Sequence, residues 1–375
     1  MKTCYQVIYQ NSFGGGEVYT RFACAALAHL GWRSVLFVHR DAGFWSALDM
    51  HGAELVPIAT VAEIEARLPG QAAVLVTHNV LDEHTAARWS ARHRLGGFAH
   101  MPLYEREAPG LAGYRKVFAV SQHVLDSAVR RGFTNFHPEP LLGVADLSPR
   151  GAAGEPRRGA LYDWDLRKPR DRLLGWFAPM LGALRPEVAF NRSPAVTLGI
   201  VSRITPIEQF PCMFEILAPV VASFPTLRLE IFGAGGYASV RDLKRALAPA
   251  FGQTRFWGHQ SDVARVYPKL DYVLSGLPEK EALGLNLIEA QAAGTPVLAV
   301  NAPPFTETVL DGVTGFLYRD PREDGGAGFR ALLERIVGGA PRPDPRRATE
   351  HLARFSPERF AQRLARALDA IPAAP

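Results

Sequence analysis

The stretch SGLPEKEALGLNLIEAQAAGTPVLAV, residues 275–300, follows a short apolar run that begins at Asp271. It reads as a loop, a helix over residues 285–293, a break at Gly294-Thr295-Pro296 and a second apolar run over residues 297–300. Strand, loop, helix, turn and strand in that order make a βαβ unit of a parallel sheet. Glu281 falls in the loop and Glu289 in the helix. Gly284 stands where the helix begins, and a backbone without Cβ lets a ligand come close there. The first N–H groups of a helix have no internal acceptor, so Leu285, Asn286 and Leu287 are predicted to offer theirs to a phosphate. Glu289 lies about one turn beyond Leu285 on the same face, where a carboxylate can accept both hydroxyls of a ribose. Glu281 would address the group on the far side of the phosphates.

At 375 residues the chain exceeds one ordinary core, which argues for two domains. Apolar residues make up 47% and charged residues 21%, the balance of a globular protein. Cys4, Cys24 and Cys212 are odd in number and lack C-x-x-C spacing, so they read as reduced residues, neither a disulfide frame nor a zinc site. The opening MKTCYQVIYQNSF lacks the apolar core of a signal peptide, and no apolar run approaches the ~18 residues that span a bilayer. A cytoplasmic chain is expected. The net charge of +5 and a pI near 9.2 fit an anionic substrate, an anionic membrane face or nucleic acid. Without zinc-finger spacing or an aromatic-basic RNA signature, nucleic acid ranks last.

Residues 5–9 read as a strand, Gly14-Gly15-Gly16 as the loop after it, residues 17–30 as a helix and residues 34–38 as a second strand. A Gly-rich strand-to-helix loop can accept a phosphate, but this one lacks the G-x-G-x-x-G order and the acidic residue of a dinucleotide-binding dehydrogenase. Short strands at 55–58, 73–77, 97–99 and 117–120 continue the alternation, and Ser121 stands where a helix cap belongs. The alternation predicts an α/β chain with doubly wound parallel sheets. Ligands of such sheets sit beyond the carboxyl ends of the strands, where His78 and His100 both fall.

Residues 147–195 break the pattern. They are rich in Pro and Gly and carry Arg150, Arg157, Arg158, Arg167, Lys168, Arg170 and Arg172, followed by an apolar piece with Trp176 and Phe177. The segment reads either as a solvated linker or as a basic and aromatic patch that meets a membrane face or a lipid-linked acceptor. Strands at 195–201, 227–232 and 255–258 open a second domain. Residues 356–371 form an amphipathic helix with Phe360, Leu364 and Leu368 on one face.

The string from Glu281 to Ala290, followed by Gly294-Thr-Pro-Val297, resembles the donor-site motif of retaining glycosyltransferases of the GT-B fold, family four. That motif usually reads E-x-F-G-x-x-x-x-E-A, then G-x-P-V; Leu283 replaces its phenylalanine. Gly14-Gly-Gly-Glu17 is similar to the family's G-G-x-E opening, Gly233-Ala-Gly-Gly236 to its G-x-G-P loop, and Asp311-Gly-Val-Thr-Gly315 to its D-G-x-x-G segment. His100 resembles its strand-end histidine, and Arg203 matches the arginine of G-R-L-x-x-E-K-G.

The resemblance implies two Rossmann-like domains facing across a cleft. An acceptor-side domain would cover residues 1–147, a linker or insertion 148–195 and a nucleotide-sugar domain 196–355, with the helix 356–375 packing back on the first. It implies transfer of a sugar from a nucleotide-diphosphate sugar of UDP or GDP type, with retention, no cofactor and no metal. Gly14, Gly15, Gly16, Arg203, Gly284, Leu285, Asn286, Leu287 and Glu289 would hold the donor. His100 and Glu281 would position the sugar as the catalytic residues, and the backbone of Phe256, Trp257 and Gly258 would lie along the base. The acceptor would be a glycan or a lipid-linked group, in assembly of a surface polysaccharide, lipopolysaccharide or glycolipid. Peripheral contact with the inner, anionic face of the cell membrane is expected, and no nucleic-acid partner.

One position departs from the family. Glu208 stands where a lysine shares with Arg203 the neutralisation of the pyrophosphate, and a shift of one residue would bring Gln209 there instead. A carboxylate beside a pyrophosphate repels it unless it points away. Two alternatives therefore stand beside the transferase: a degenerate nucleotide-binding or scaffold protein, and a GT-B enzyme of another reaction such as a nucleotide-sugar epimerase.

Overall fold

The computed structural model describes residues 2–11, 14–104, 108–148, 154–164, 168–183 and 188–374, with residues 177–183 described as helical backbone alone. The chain divides into two units, Met1–Ala145 with Ala353–Pro375, and Asp146–Leu352.

In the first unit the strands are β1 (Thr3–Ile8), β2 (Arg33–His39), β3 (Glu54–Ile58), β4 (Val74–Thr77), β5 (Arg94–Ala99) and β6 (Lys116–Ala119). They form one parallel sheet in the order β3-β2-β1-β4-β5-β6. Helices α1 (Gly15–His29), α2 (Val61–Arg67), α3 (Glu83–Arg92) and α4 (Gln122–Arg130) make the crossovers. Every residue of β4 is buried, as a strand covered on both faces requires. Thr60, Asp82 and Ser121 each accept the N–H three residues on, at the starts of α2, α3 and α4.

The second unit contains α5 (Pro169–Ala183), β7 (Val196–Val201), α6 (Phe210–Ala222), β8 (Leu227–Phe232), α7 (Tyr237–Ala246), β9 (Thr254–Gly258), β10 (Tyr272–Leu274), α8 (Leu285–Ala292) and β11 (Val297–Val300). It continues through α9 (Phe305–Thr308), β12 (Gly315–Tyr318), α10 (Pro321–Asp324), α11 (Ala327–Val337) and α12 (Thr349–Ala353). Its parallel sheet runs β12-β11-β10-β7-β8-β9. In its own numbering this is again the order 3-2-1-4-5-6, read from the other edge. The core is mainly apolar, and among its buried polar groups the indole N–H of Trp257 donates to Glu230 Oε2 at 2.6 Å.

The described residues of the basic stretch, expected as a linker or insertion, fold with the second unit. Gly159 N–H donates to Trp257 O, His259 N–H to Ala160 O, Gly235 N–H to Leu161 O and Asp163 N–H to Gly235 O. These four bonds lay residues 159–163 as a strap over the carboxyl ends of β8 and β9. Arg150, Arg167 and the side chain of Phe177 lie outside the described residues.

Helix α13 (Pro357–Asp369) belongs to the first unit and buries Phe360, Leu364 and Leu368. Phe360 meets Phe22 of α1 edge-on at 6.0 Å. Its carboxyl end is held by Arg94, whose guanidinium donates to Leu368 O at 3.0 Å and to Ile371 O at 2.7 Å. Hydrogen bonds to a charged group contribute about 1.5–3 kcal/mol. Arg94→Ala is therefore expected to destabilise the first unit by roughly 1–3 kcal/mol and to speed amide exchange over residues 360–371. Exchange rates there equal to the parent's would contradict this account of how the last helix is anchored.

Candidate functional site

In a doubly wound sheet the crevice opens where neighbouring strands send their following loops to opposite faces. In the second unit that point lies between β7 and β10, and the sequence-singled residues collect around it. Arg203 is exposed two residues beyond β7. The loop after β10 leads through Glu281 to Gly284, which has φ 83° and is the N-cap of α8. That left-handed conformation suits glycine and places Leu285 at the helix start.

Glu281 closes the loop on itself. Its Oε1 accepts the N–H groups of Ala282 at 3.0 Å, Leu283 at 3.3 Å and Gly284 at 3.0 Å. One carboxylate oxygen is thus fixed by the chain, which leaves Oε2 as the atom able to meet a ligand. Of the three N–H groups assigned to a phosphate, Leu287 is a correction. Its N–H turns back to Gly284 O at 3.0 Å, because the first turn of α8 tightens around the cap. Leu285 and Asn286 remain as the donors at the helix start. The Asn286 side chain donates to Val201 O at 3.1 Å and ties the helix to the end of β7.

Glu289 is half-buried in α8, and its Oε2 accepts the Tyr267 hydroxyl at 2.8 Å. Tyr267 is fully buried, and burial, reinforced by the Glu289 charge, holds its phenol well above the ordinary range. The hydroxyl stays protonated and orients the carboxylate. Sequence reasoning missed Tyr267, because 22 residues separate it from its partner.

Glu208 folds back onto its own turn. Its Oε2 accepts Thr205 N–H at 3.1 Å and bonds the Thr205 hydroxyl. Its carbonyl accepts Leu277 N–H at 3.1 Å, from the loop after β10. Gln209 has φ 55° at the N-cap of α6, the conformation that the last glycine of G-R-L-x-x-E-K-G would serve. That register makes Glu208, not Gln209, the counterpart of the family lysine. Burial raises the Glu208 pKa above the usual carboxylate value, the Thr205 bonds and Arg203 pull it down, and Glu281 pushes it up.

Along β9 the side chain of Trp257 is core, stacked on Phe232 at 5.9 Å and 1% exposed. The backbone assigned to the base is engaged by the chain itself. Trp257 O takes Gly159 N–H, and Gly258 O takes Gly233 N–H. Phe256 is half-buried beneath Lys244.

The first unit has its own switch point between β1 and β4. Gly14, Gly15 and Gly16 open α1 just beyond β1. Glu17 is buried; it accepts Gly14 N–H at 2.5 Å and bonds Gln10. Gln10 Oε1 accepts from Asn79, which follows β4 by two residues. Gln10 and Asn79 were not foreseen, although both directly follow strand ends. A Cβ on Gly16 would lie 3.5 Å from Gln10 Nε2 and 3.9 Å from His100 Cδ2, so Gly16, Gln10 and His100 lie side by side. His100 and His78 have nearly parallel rings at 5.8 Å. His78 is buried and takes Gln6 as partner at 3.0 Å, whereas His100 is partly exposed. Burial lowers the His100 pKa to about 4, so its imidazole is neutral near pH 7.

Two Rossmann-like units in one chain are the parts of the GT-B fold. Anabaena Alr3699/HepE, solved in complex with UDP-glucose, matches over 99% of this chain and 100% of its own, with a TM-score of 0.71 and 17% identity. The lipopolysaccharide outer core galactosyltransferase WaaB matches over 99% of each chain with a TM-score of 0.64 and 13% identity. Residues 195–335 match the family described as Glycosyl transferases group 1. The second unit is thus similar to the group 1 glycosyltransferases over those residues. A D-inositol 3-phosphate glycosyltransferase of Mycobacterium sp. (strain KMS) is 33% identical over 202 residues, 52% of this chain and 42% of the relative. One from Mycobacterium marinum (strain ATCC BAA-535 / M) is 34% identical over 204 residues, 52% of this chain and 40% of the relative. The chain thus spans about two fifths of the length of these curated relatives.

A diphosphate set against Arg203 adds negative charge beside Glu208 and favours its protonated form. Binding would then take up a proton and strengthen as pH falls through the Glu208 titration. Glu208→Gln keeps an oxygen for Thr205 and removes the charge. It is expected to tighten nucleoside diphosphate binding at pH 8 roughly ten-fold, on the order of 1 kcal/mol, and to flatten the pH slope. Calorimetry that returned the same slope for both proteins would remove the carboxylate from donor binding.

Proposed function

We propose that this protein transfers a sugar from a nucleoside diphosphate sugar to an acceptor hydroxyl, with retention at the anomeric carbon and without a divalent cation. The observation that carries the reading is the convergence of Arg203, the start of α8 and Glu289 on the β7/β10 switch point. The bond from the sugar's anomeric carbon to the diphosphate oxygen breaks, a bond to the acceptor oxygen forms, and the diphosphate leaves with the electron pair. Arg203, the Leu285 and Asn286 N–H groups and the positive end of α8 would stabilise that leaving charge. Glu281 Oε2 would accept a sugar hydroxyl from a fixed position. In the first unit, neutral His100 can supply a hydrogen bond rather than a charge, and Gly14, Gly15 and Gly16 leave the backbone at the start of α1 open to a ligand.

The base is of UDP or GDP type, with UDP favoured because the structural neighbour HepE was solved with UDP-glucose. The acceptor is a glycan or a lipid-linked group in surface polysaccharide or glycolipid assembly, met at the cytoplasmic, anionic face of a membrane. D-inositol 3-phosphate, from the name of the mycobacterial relatives, is the soluble competitor to test beside it. Glu208 motivates a second reading, a nucleotide-binding protein that turns nothing over. Hydrolysis or transfer of a labelled nucleotide sugar by the purified protein separates the two.

Glu289→Ala is expected to weaken nucleoside diphosphate binding by about 1–3 kcal/mol. Glu289→Gln, which still accepts the Tyr267 hydroxyl, should lose less. Unchanged affinity in both would remove the ribose contact. Turnover should survive excess chelator, and the product should keep the donor's anomeric configuration by NMR. A loss of turnover restored by added metal would overturn the cation-free electrostatics.

A further inference from the structure

Helix α5 is polar at one end and apolar along the rest. Arg170, Asp171 and Arg172 lie in its first turn, and the 11 residues 173–183 include no charged side chain. At 1.5 Å per residue that run is about 16 Å long, roughly half of a ~30 Å hydrocarbon core. Among the described residues no helix is long and apolar enough to cross a membrane.

The inward face of α5 is defined by Asp171, 9% exposed, and by Gly175 one turn on. A Cβ on Gly175 would lie 3.2 Å from Trp164 Cγ, so the helix rests directly on that indole. Trp164 packs on Tyr162 at 5.1 Å, Tyr162 on Tyr237 of α7 at 5.8 Å, and the Arg170 guanidinium lies 4.3 Å from the centre of the Tyr237 ring. The aromatic stack mounts α5 on the nucleotide-binding unit.

The other side faces solvent. Leu173 is 59% exposed and Trp176 72%, with Leu174 beside them and Lys168, Arg170 and Arg172 exposed at the same end of the helix. Arg157 and Arg158 precede the strap. A cluster of leucine and tryptophan next to Lys168 and Arg172, with Asp171 of the first turn facing inward, matches an anionic lipid surface in both apolarity and charge. A protein partner would need acidic complementarity of its own, whereas lipid supplies it at any orientation.

We propose that α5 docks flat on an anionic phospholipid surface, with Leu173, Leu174 and Trp176 entering the headgroup boundary and Lys168 and Arg172 held at the phosphates. The proposal deepens the reading as a transferase working at a membrane, and the docking itself needs no donor. It narrows the basic stretch of the sequence to one helix.

The full chain would be floated with vesicles of phosphatidylcholine alone and with about one third phosphatidylserine, at 0.05 and about 0.5 M salt. Recovery with the anionic vesicles at low salt, falling at least five-fold at high salt, is expected. Leu173→Ser with Trp176→Ser, and separately Lys168→Ser with Arg172→Ser, should each cut recovery at least ten-fold while the melting temperature and nucleoside diphosphate binding stay at the parent's values. Equal recovery of parent and variants, or none with anionic vesicles, would overturn the proposal. So would a concentration-dependent dimer that Trp176→Ser abolishes, since a second copy would then cover the face. Nucleotide binding is read separately, so a protein that floats but binds no nucleotide refutes the transferase reading alone.

Discussion

Right-handed crossovers between parallel strands place successive helices on one face of a sheet until the strand order reverses. At the reversal two neighbouring loops part, and the backbone between them is open to a ligand. Both units obey this constraint, at β1/β4 and at β7/β10. The chemistry-bearing residues follow from it. Gly14 to Gly16 and Asn79 flank the first reversal, and Arg203, Glu281 and Gly284 flank the second. A one-strand change in either order would scatter them.

The fold was legible because strands covered on both faces have few options. Runs such as Val-Leu-Val-Thr at β4 and Val-Leu-Ala-Val at β11 are almost wholly apolar, and every residue in them is buried. Helix α8 was legible for a related reason: Gly284 and Glu281 are needed at its start by backbone geometry. Other parts were hidden. The bond of Tyr267 to Glu289 and that of Asn79 to Gln10 join residues distant in sequence, with no local pattern to announce them. The N–H of Leu287 was misjudged because whether a first turn tightens depends on the cap rather than on composition.

The strap was the least visible element. Its contacts with Trp257, Gly235 and His259 are made by backbone, so its side chains carry no periodicity. Rich in Pro, Gly and Arg, it looked like solvated linker. Glu208 shows the opposite case, a residue whose oddity was plain in sequence while its consequence was not. Its bonds to Thr205 give the carboxylate a structural task that a lysine could not perform, so the turn and the charge of the site are set by one side chain.

The strap also bears on modularity. Units of this fold invite exchange between relatives, and sequence alone would put the junction just before β7, where regular structure resumes. A chimera cut there would import β8 and β9 without the segment that occupies Trp257 O, His259 N–H and both polar groups of Gly235. Those groups would be left at the rim of an edge strand, unpaired or open to another chain. The covalent seam that respects the hydrogen-bonding lies between Ala145 and Asp146, with a second cut where Leu352 gives way to Ala353. The second unit is portable only when it carries its own strap and the helix mounted on it.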